Sequence, residues 1–277
     1  MALVWVNQIE QGTISPFDRG LAYGDGVFAT MRTAGAHQTA GVLFLDWHLQ
    51  RLQQSCQRLG IQWQANDSLI GQLLSLAERY PEHCIKLVLT RGQGGRGYQA
   101  PVLSDVTEIV SVHTIPEHYQ HWQKQGISLA SSPIKLGRQP LLAGMKHLNR
   151  LEQVLIKTQP LIANCQDWLV LDTDGYVIES SMANLFAVKE GHIITPAITH
   201  AGVSGVMREQ MIDHLLKDGF AVTAKAMRYD DLGSAEHIFI TNSLFGVVDI
   251  NTIDQFQFSR WTHTSRFRQV LSVDLSS

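Results

Sequence analysis

The segment Leu141-Leu142-Ala143-Gly144-Met145-Lys146-His147-Leu148-Asn149-Arg150-Leu151-Glu152-Gln153 is the one around which the rest of the chain is organised. It sets Lys146 ahead of Leu148, Leu151, Val154 and Leu155, which recur at helical spacing. That spacing predicts a helix with Lys146 at its entrance. A cation is unfavourably placed against the positive end of a helix dipole. A lysine kept beside apolar side chains gives up its proton more easily than one in water and can serve as a nucleophile. Most lysines are solvated surface cations, so this window by itself reads as structural and the rest of the chain has to decide.

The chain has 277 residues, enough for one large domain or two smaller ones, with a formal net charge of −3. That balance argues against a general nucleic-acid binder, which carries a basic stripe, but it leaves room for a locally basic pocket and an anionic small-molecule substrate. The three cysteines, Cys56, Cys84 and Cys165, are far apart and form no Cys-x-x-Cys pair. This suits a reducing cytoplasm and neither a disulfide framework nor a zinc site. The start, Met1-Ala2-Leu3-Val4-Trp5-Val6, alternates like a strand, and no apolar run reaches membrane-spanning length. The expectation is a cytoplasmic protein without a membrane partner.

Going outward from the lysine segment, strand patterns cover 3–9, 27–33, 84–90 and 107–114, with helices at 46–59, capped by Asp46, and 68–79. Residues 115–122, Ile-Pro-Glu-His-Tyr-Gln-His-Trp, break the pattern and are expected to be a linker. It divides a smaller N-terminal domain, 1–114, from a larger C-terminal one, 123–277, which would carry the lysine. The second half offers a strand at 127–131, hairpins around Asp174-Gly175 and Glu190-Gly191, a helix at 205–217 with Ser204 as its cap, strands at 220–226 and 237–241, and a terminal helical stretch. Strands and helices without a βαβ rhythm indicate an α+β fold in two domains.

Four further places carry chemistry-bearing residues. The loop Arg91-Gly92-Gln93-Gly94-Gly95-Arg96-Gly97-Tyr98 lacks the Gly-Lys-Ser/Thr ending of a phosphate-binding P-loop. Its arginines suit bidentate capture of carboxylates, and its bland alternative is a hairpin tip. At the 205–217 helix the first amides, those of Val206 and Met207, have no acceptor within the helix, which makes an anion site. Glu179 ends a strand among apolar neighbours and needs a partner if buried; alternation alone favours an outward-facing side chain. Thr241-Asn242-Ser243 offers polar groups that equally suit a turn. No metal spacing and no Gly-x-Ser-x-Gly elbow occur.

Together these pieces resemble the fold-type IV pyridoxal phosphate enzymes, the family of branched-chain aminotransferases, D-amino acid transaminases and aminodeoxychorismate lyases. The resemblance covers nearly the whole chain. Asp18-Arg19-Gly20 with Tyr23-Gly24-Asp25-Gly26-Val27-Phe28 is similar to the N-terminal signature, Lys146 falls at the Schiff-base lysine, Glu179 follows at the family's spacing, and 201–208 is similar to its phosphate cup. Within the family, 91–98, Leu136-Gly137-Arg138-Gln139-Pro140 and 146–153 look like the lyase branch. Phe28 is followed by Ala29-Thr30, where the transaminases usually have a glutamate.

The resemblance implies a two-domain fold-type IV enzyme with an interdomain active site, pyridoxal 5'-phosphate as cofactor, a homodimer, and cleavage of 4-amino-4-deoxychorismate to 4-aminobenzoate and pyruvate. It implies Lys146 as the cofactor-bearing lysine and general base, and Glu179 on the pyridine nitrogen. Arg51, the amides of Val206 and Met207, and Asn242 or Ser243 would hold the phosphate. Arg96 and Tyr98 would hold substrate carboxylate, with Arg91 or Lys86 serving the second one. The proton for the departing enol would come from Lys146, or from Thr30 with water. His147 reads as structural. The alternatives are a D-amino acid or branched-chain transaminase on the same fold, a non-catalytic cofactor-binding module, and, more remotely, a nucleotide-binding protein.

Overall fold

The computed structural model describes residues 3–35, 41–95, 97–102 and 104–275. The chain folds as two compact units, one comprising the residues up to Ile115 with Met145–Asn149, the other Pro116–Gly144 with Arg150 onward. The mixture of helix and strand is α+β, as the lack of a βαβ rhythm indicated.

The first unit runs β1 (Leu3–Val6), β2 (Ile9–Glu10), α1 (Arg19–Tyr23), β3 (Gly26–Arg32), α2 (Leu45–Leu59), α3 (Asp67–Arg79), β4 (His83–Thr90) and β5 (Thr107–Thr114). Its five strands pair antiparallel in the order β2-β1-β5-β4-β3. Strand alternation decides the faces. Val27, Ala29 and Met31 point into a core with Ile85, Leu87 and Leu89, covered by Leu52 and Cys56 of α2 and Leu69 and Leu73 of α3. Phe28, Thr30 and, opposite Thr30 in register, Lys86 occupy the other face. The helix α2 ends on Gly60 in the left-handed conformation, whose N–H closes onto the carbonyls of Cys56 and Gln57. Asp46 is not its cap: Phe44 takes that position with φ 56° and no side-chain hydrogen bond, and Asp46 lies in the first turn.

The second unit runs α4 (His118–Gln125), β6 (Ile127–Ser131), α5 (Leu151–Thr158), β7 (Asp167–Leu171), β8 (Val177–Ser180), β9 (Asn184–Lys189), β10 (His192–Pro196), α6 (Val206–Lys217), β11 (Ala221–Lys225), a 3-10 helix (Tyr229–Ser234), β12 (His237–Asn242), β13 (Gly246–Ile253), β14 (Phe256–Gln257) and α7 (Thr264–Val270). The path β9-β12-β13-β6-β7-β8 returns to β9 through a Glu179–Asn184 pair, so the strands close on themselves. Both hairpins form around the expected dipeptides, with φ 80° at Gly175 and positive φ at Glu190 and Gly191. Strands β12 and β13 are buried along almost their whole length.

Two further expectations need correction. Residues 118–125 are not linker but helix, because Tyr119 and Trp122 pack edge-on against Phe245 and are buried. Lys146 does not stand at a helix entrance, and it does not belong with the C-terminal residues. The helix begins only at Leu151, and Met145–Asn149 is non-helical chain that groups with the first unit.

Candidate active site

Lys146 is held by backbone bonding to the free edge of β3. His147 bridges Val27 antiparallel, Phe28 N–H donates to the Lys146 carbonyl at 2.9 Å, and Leu148 N–H to the Gly26 carbonyl at 3.0 Å. Gly26 permits this close approach, since a Cβ there would lie 2.9 Å from Leu148 Cδ1, and 2.2 Å from the Leu89 carbonyl oxygen of β4. The lysine is thereby aimed across the non-core face of β3. Its Nζ lies 4.7 Å from the centroid of the Phe28 ring, and Lys86 Nζ lies 5.0 Å from the same ring. Thr30, two residues on, shares that face.

Helix α2 contributes Arg51 and His48 from successive turns. His48 is buried, with no hydrogen-bond partner at either ring nitrogen among the described residues. Burial, then the charges of Arg51 and Lys146, push its pKa well below the usual imidazole value. Burial and the two neighbouring cationic side chains thus both favour the uncharged ring.

In the second unit Glu179 is turned inward, against the expectation from alternation, and is 7% exposed. Its Oε2 accepts from Val203 N–H at 3.1 Å and Asn184 Nδ2 at 3.5 Å. Gly202, with φ 86°, brings the backbone near it. Arg150 lies close enough for Glu179 to favour its charged form, although burial, the larger effect, lowers the Arg150 pKa. Asn184 ties this carboxylate to the start of α6: its Nδ2 donates to the Val203 carbonyl at 2.8 Å, and its Oδ1 accepts from Gly205 N–H at 3.1 Å. The cap of α6 is Gly205 rather than Ser204, whose hydroxyl donates to Glu209. A Cβ at Gly205 would lie 2.2 Å from Asn184 Oδ1. The amides of Val206 and Met207 are thus the first of the helix, as expected.

Thr241 is directly opposite Asn184 in the β9–β12 ladder, so its side chain shares the face from which Asn184 reaches Gly205. It is buried, and its hydroxyl has no partner among the described residues. A buried hydroxyl left unpaired is costly and signals a missing polar group. Asn242 is engaged elsewhere: its Oδ1 accepts from Leu244 and Phe245 N–H, both at 2.9 Å, and Ser243 sits in that turn. Thr241 thus offers a polar group with no partner among the described residues, whereas the Asn242 carboxamide oxygen is occupied within its turn. The signal was its place one residue before the turn, on a buried strand.

The residues of the arginine-glycine loop divide. Arg91 is buried, with Nε donating to Asp25 Oδ2 at 2.7 Å and its remaining donors to the carbonyls of Leu59 and Gly60. Its fork is spent on the protein, which removes it as a carboxylate ligand. Arg96 lies outside the described residues. Tyr98 is 88% exposed, with its ring edge-on to Tyr23.

The model of the family described as amino-transferase class IV matches residues 26–253. The chain belongs to the amino-transferase class IV family. Among proteins of known description, an aminodeoxychorismate lyase of Vibrio harveyi is 34% identical over 251 residues, 91% of each chain. A D-alanine aminotransferase of Bacillus licheniformis is 28% identical, over 86% of this chain and 82% of that one. The crystal structure of a 4-amino-4-deoxychorismate lyase from Pseudomonas aeruginosa superposes with a TM-score of 0.91 at 33% identity, over 99% of this chain and 100% of that one. This class IV chain therefore has the fold-type IV architecture that the signature and lysine segments led us to expect.

Proposed function

We propose that the protein is a pyridoxal phosphate-dependent lyase that converts 4-amino-4-deoxychorismate to 4-aminobenzoate and pyruvate. The observation that carries the reading is the likeness, at a third identity over nine-tenths or more of the chain, to two proteins described as this lyase. Thr30, on the face next to Lys146, and the absence of a glutamate after Phe28 support it.

The residues fit the cofactor. Arg51, the Val206 and Met207 amides and the Thr241 hydroxyl would hold its phosphate, Glu179 would keep the proton on its ring nitrogen, and Lys146 would carry it covalently. When bound, it supplies an electron sink for the carbon that bears the substrate nitrogen. Lys146 Nζ would then be placed to take the proton from that carbon. The carbon–oxygen bond to the enolpyruvyl group then breaks, the ring becomes aromatic, and enolpyruvate takes up a proton to leave as pyruvate. Lys146, or Thr30 through water, delivers that proton. With Arg91 engaged by Asp25, Lys86 is the cation we assign to the second substrate carboxylate, Tyr98 and Arg96 serving the first.

We further propose a cytoplasmic homodimer. Leu151, Val154 and Leu155 form an apolar stripe on α5, but they are 77%, 55% and 52% exposed, with Leu141 nearby in sequence at 78%. Such a stripe suits a second copy of the chain. The cysteines are free, and burial pushes the thiols of Cys56 and Cys84 up to about 12 and about 11. That suits packing in a reducing compartment.

Incubating the purified holoenzyme with 4-amino-4-deoxychorismate, with no keto acid present, tests the reading. Equimolar 4-aminobenzoate and pyruvate are expected. Turnover only when a keto acid is added would replace the lyase with a transaminase, and cofactor absorbance without turnover would leave a binding module.

A further inference from the structure

The Asp18-Arg19-Gly20 signature contains a buried arginine that the catalytic scheme does not use. Arg19 is 3% exposed, and its Nε donates to Asp25 Oδ2 at 2.8 Å. Its other donors go to backbone carbonyls. Nη1 donates to the Gly97 carbonyl at 3.1 Å and the Gln99 carbonyl at 3.4 Å, and Nη2 to the Tyr98 carbonyl at 3.0 Å. One guanidinium thus binds three successive carbonyls of a loop whose central side chain, Tyr98, is almost wholly in solvent. The Arg19 guanidinium also lies 4.8 Å from the Tyr23 ring, on which the Tyr98 ring packs edge-on at 5.5 Å.

Asp25 is the anchor. It takes Arg19 and Arg91 together, and Arg91 continues to the last carbonyls of α2, the helix of Arg51. Burial raises the Asp25 carboxyl, and the hydrogen bonds and charges of the two arginines more than reverse that, leaving it below its ordinary value. The same carboxylate therefore fixes the end of α2 and, through Arg19, the 97–99 loop. A loop with an exposed tip has little apolar burial to hold it. A planar fork with several donors is suited to gripping consecutive carbonyls, and an ammonium is not.

We propose that Arg19, braced by Asp25, is a positioning residue: it fixes the backbone at residues 97–99 and so sets how Tyr98 meets the anionic substrate. Its substrate arm rests on the proposed lyase function. Because Arg19 Nε, Nη1 and Nη2 are engaged by Asp25 and the loop carbonyls, it would act through the loop, so its effect belongs in KM and not in the chemical step.

The test compares wild-type holoenzyme with Arg19→Lys, which keeps the charge near Asp25 and loses the fork. Amide hydrogen exchange in peptides covering 97–102 should be at least about 10-fold faster, corresponding to loss of roughly 1.4 kcal/mol of local protection. KM for 4-amino-4-deoxychorismate should rise about 10-fold with kcat within about 2-fold, and cofactor absorbance should be unchanged. Unaltered exchange, or a fall in kcat at constant KM, would overturn the proposal. Should Arg19→Lys not fold, Asp25→Asn loosens Arg19 without removing it and should move exchange and KM in the same directions; a folded Asp25→Asn with both unchanged is equally fatal. Wild-type protein without lyase turnover would sink the lyase reading alone, because the exchange comparison still decides whether Arg19 holds the loop.

Discussion

Two side chains without partners among the described residues carry the most information at the scale of residues. Thr241 offers a buried hydroxyl opposite Asn184, which in turn bonds the cap of α6, a helix start suited to an anion. Thr241→Val, which keeps the shape and deletes the hydroxyl, should weaken pyridoxal phosphate binding about 10-fold, as expected for one hydrogen bond to a charged group. Titration of the apoprotein by cofactor absorbance measures this, and unchanged affinity would remove Thr241 from the phosphate site. His48 gives a pH prediction. Its folded pKa is held well below the ordinary value by burial and by Arg51 and Lys146. The unfolded chain takes up a proton near pH 6.5 where the folded protein does not, so His48 costs stability as pH falls below about 6.5 and none above it. Thermal unfolding between pH 7 and 5 should show a drop in Tm that His48→Leu makes shallower.

Helix α6 and the strands around it are arranged so that a carboxylate, an amide side chain and a helix start share one small region. Gly205 makes this possible, because a Cβ there would strike Asn184 Oδ1. Gly205→Ala should cost about 1–3 kcal/mol, read as a lower Tm, and weaken cofactor binding more than a distant substitution of equal cost. Much of this level was legible in the sequence. Strands β5 and β6, both hairpins and the stop of α2 at Gly60 follow from alternation and turn chemistry, which act locally. Residues 118–125 were not legible, since proline and polar residues mask a helix whose Tyr119 and Trp122 are buried by a distant Phe245. Strand β13 was also missed: Gly246-Val247-Val248-Asp249-Ile250 is buried almost throughout and shows no alternation to read. Lys146 was misread for a related reason. The leucines after it are spaced for a helix, but its own position is set by the edge of β3, more than a hundred residues earlier. Arg91 looked like a ligand because arginine in a glycine loop suits carboxylates, and the carboxylate it found was Asp25.

For the molecule as a whole, the proposed residues come from both units, with Lys146, Arg51, Thr30 and Lys86 in one and Glu179, Val206, Met207 and Thr241 in the other. That division is why spacing along the chain could nominate them only through a family resemblance. The exposed stripe on α5 adds a prediction about assembly: Leu151→Lys with Leu155→Lys should convert a dimer to a monomer by light scattering, while wild-type monomer would leave the stripe without the occupant proposed for it. The claim on which the chemistry depends is that Lys146 carries the cofactor. Borohydride reduction of the holoenzyme and mass mapping of its peptides addresses it most directly. A pyridoxyl group on Lys146 is the predicted result; one on Lys86, which shares the Phe28 ring, or on any other lysine would contradict it.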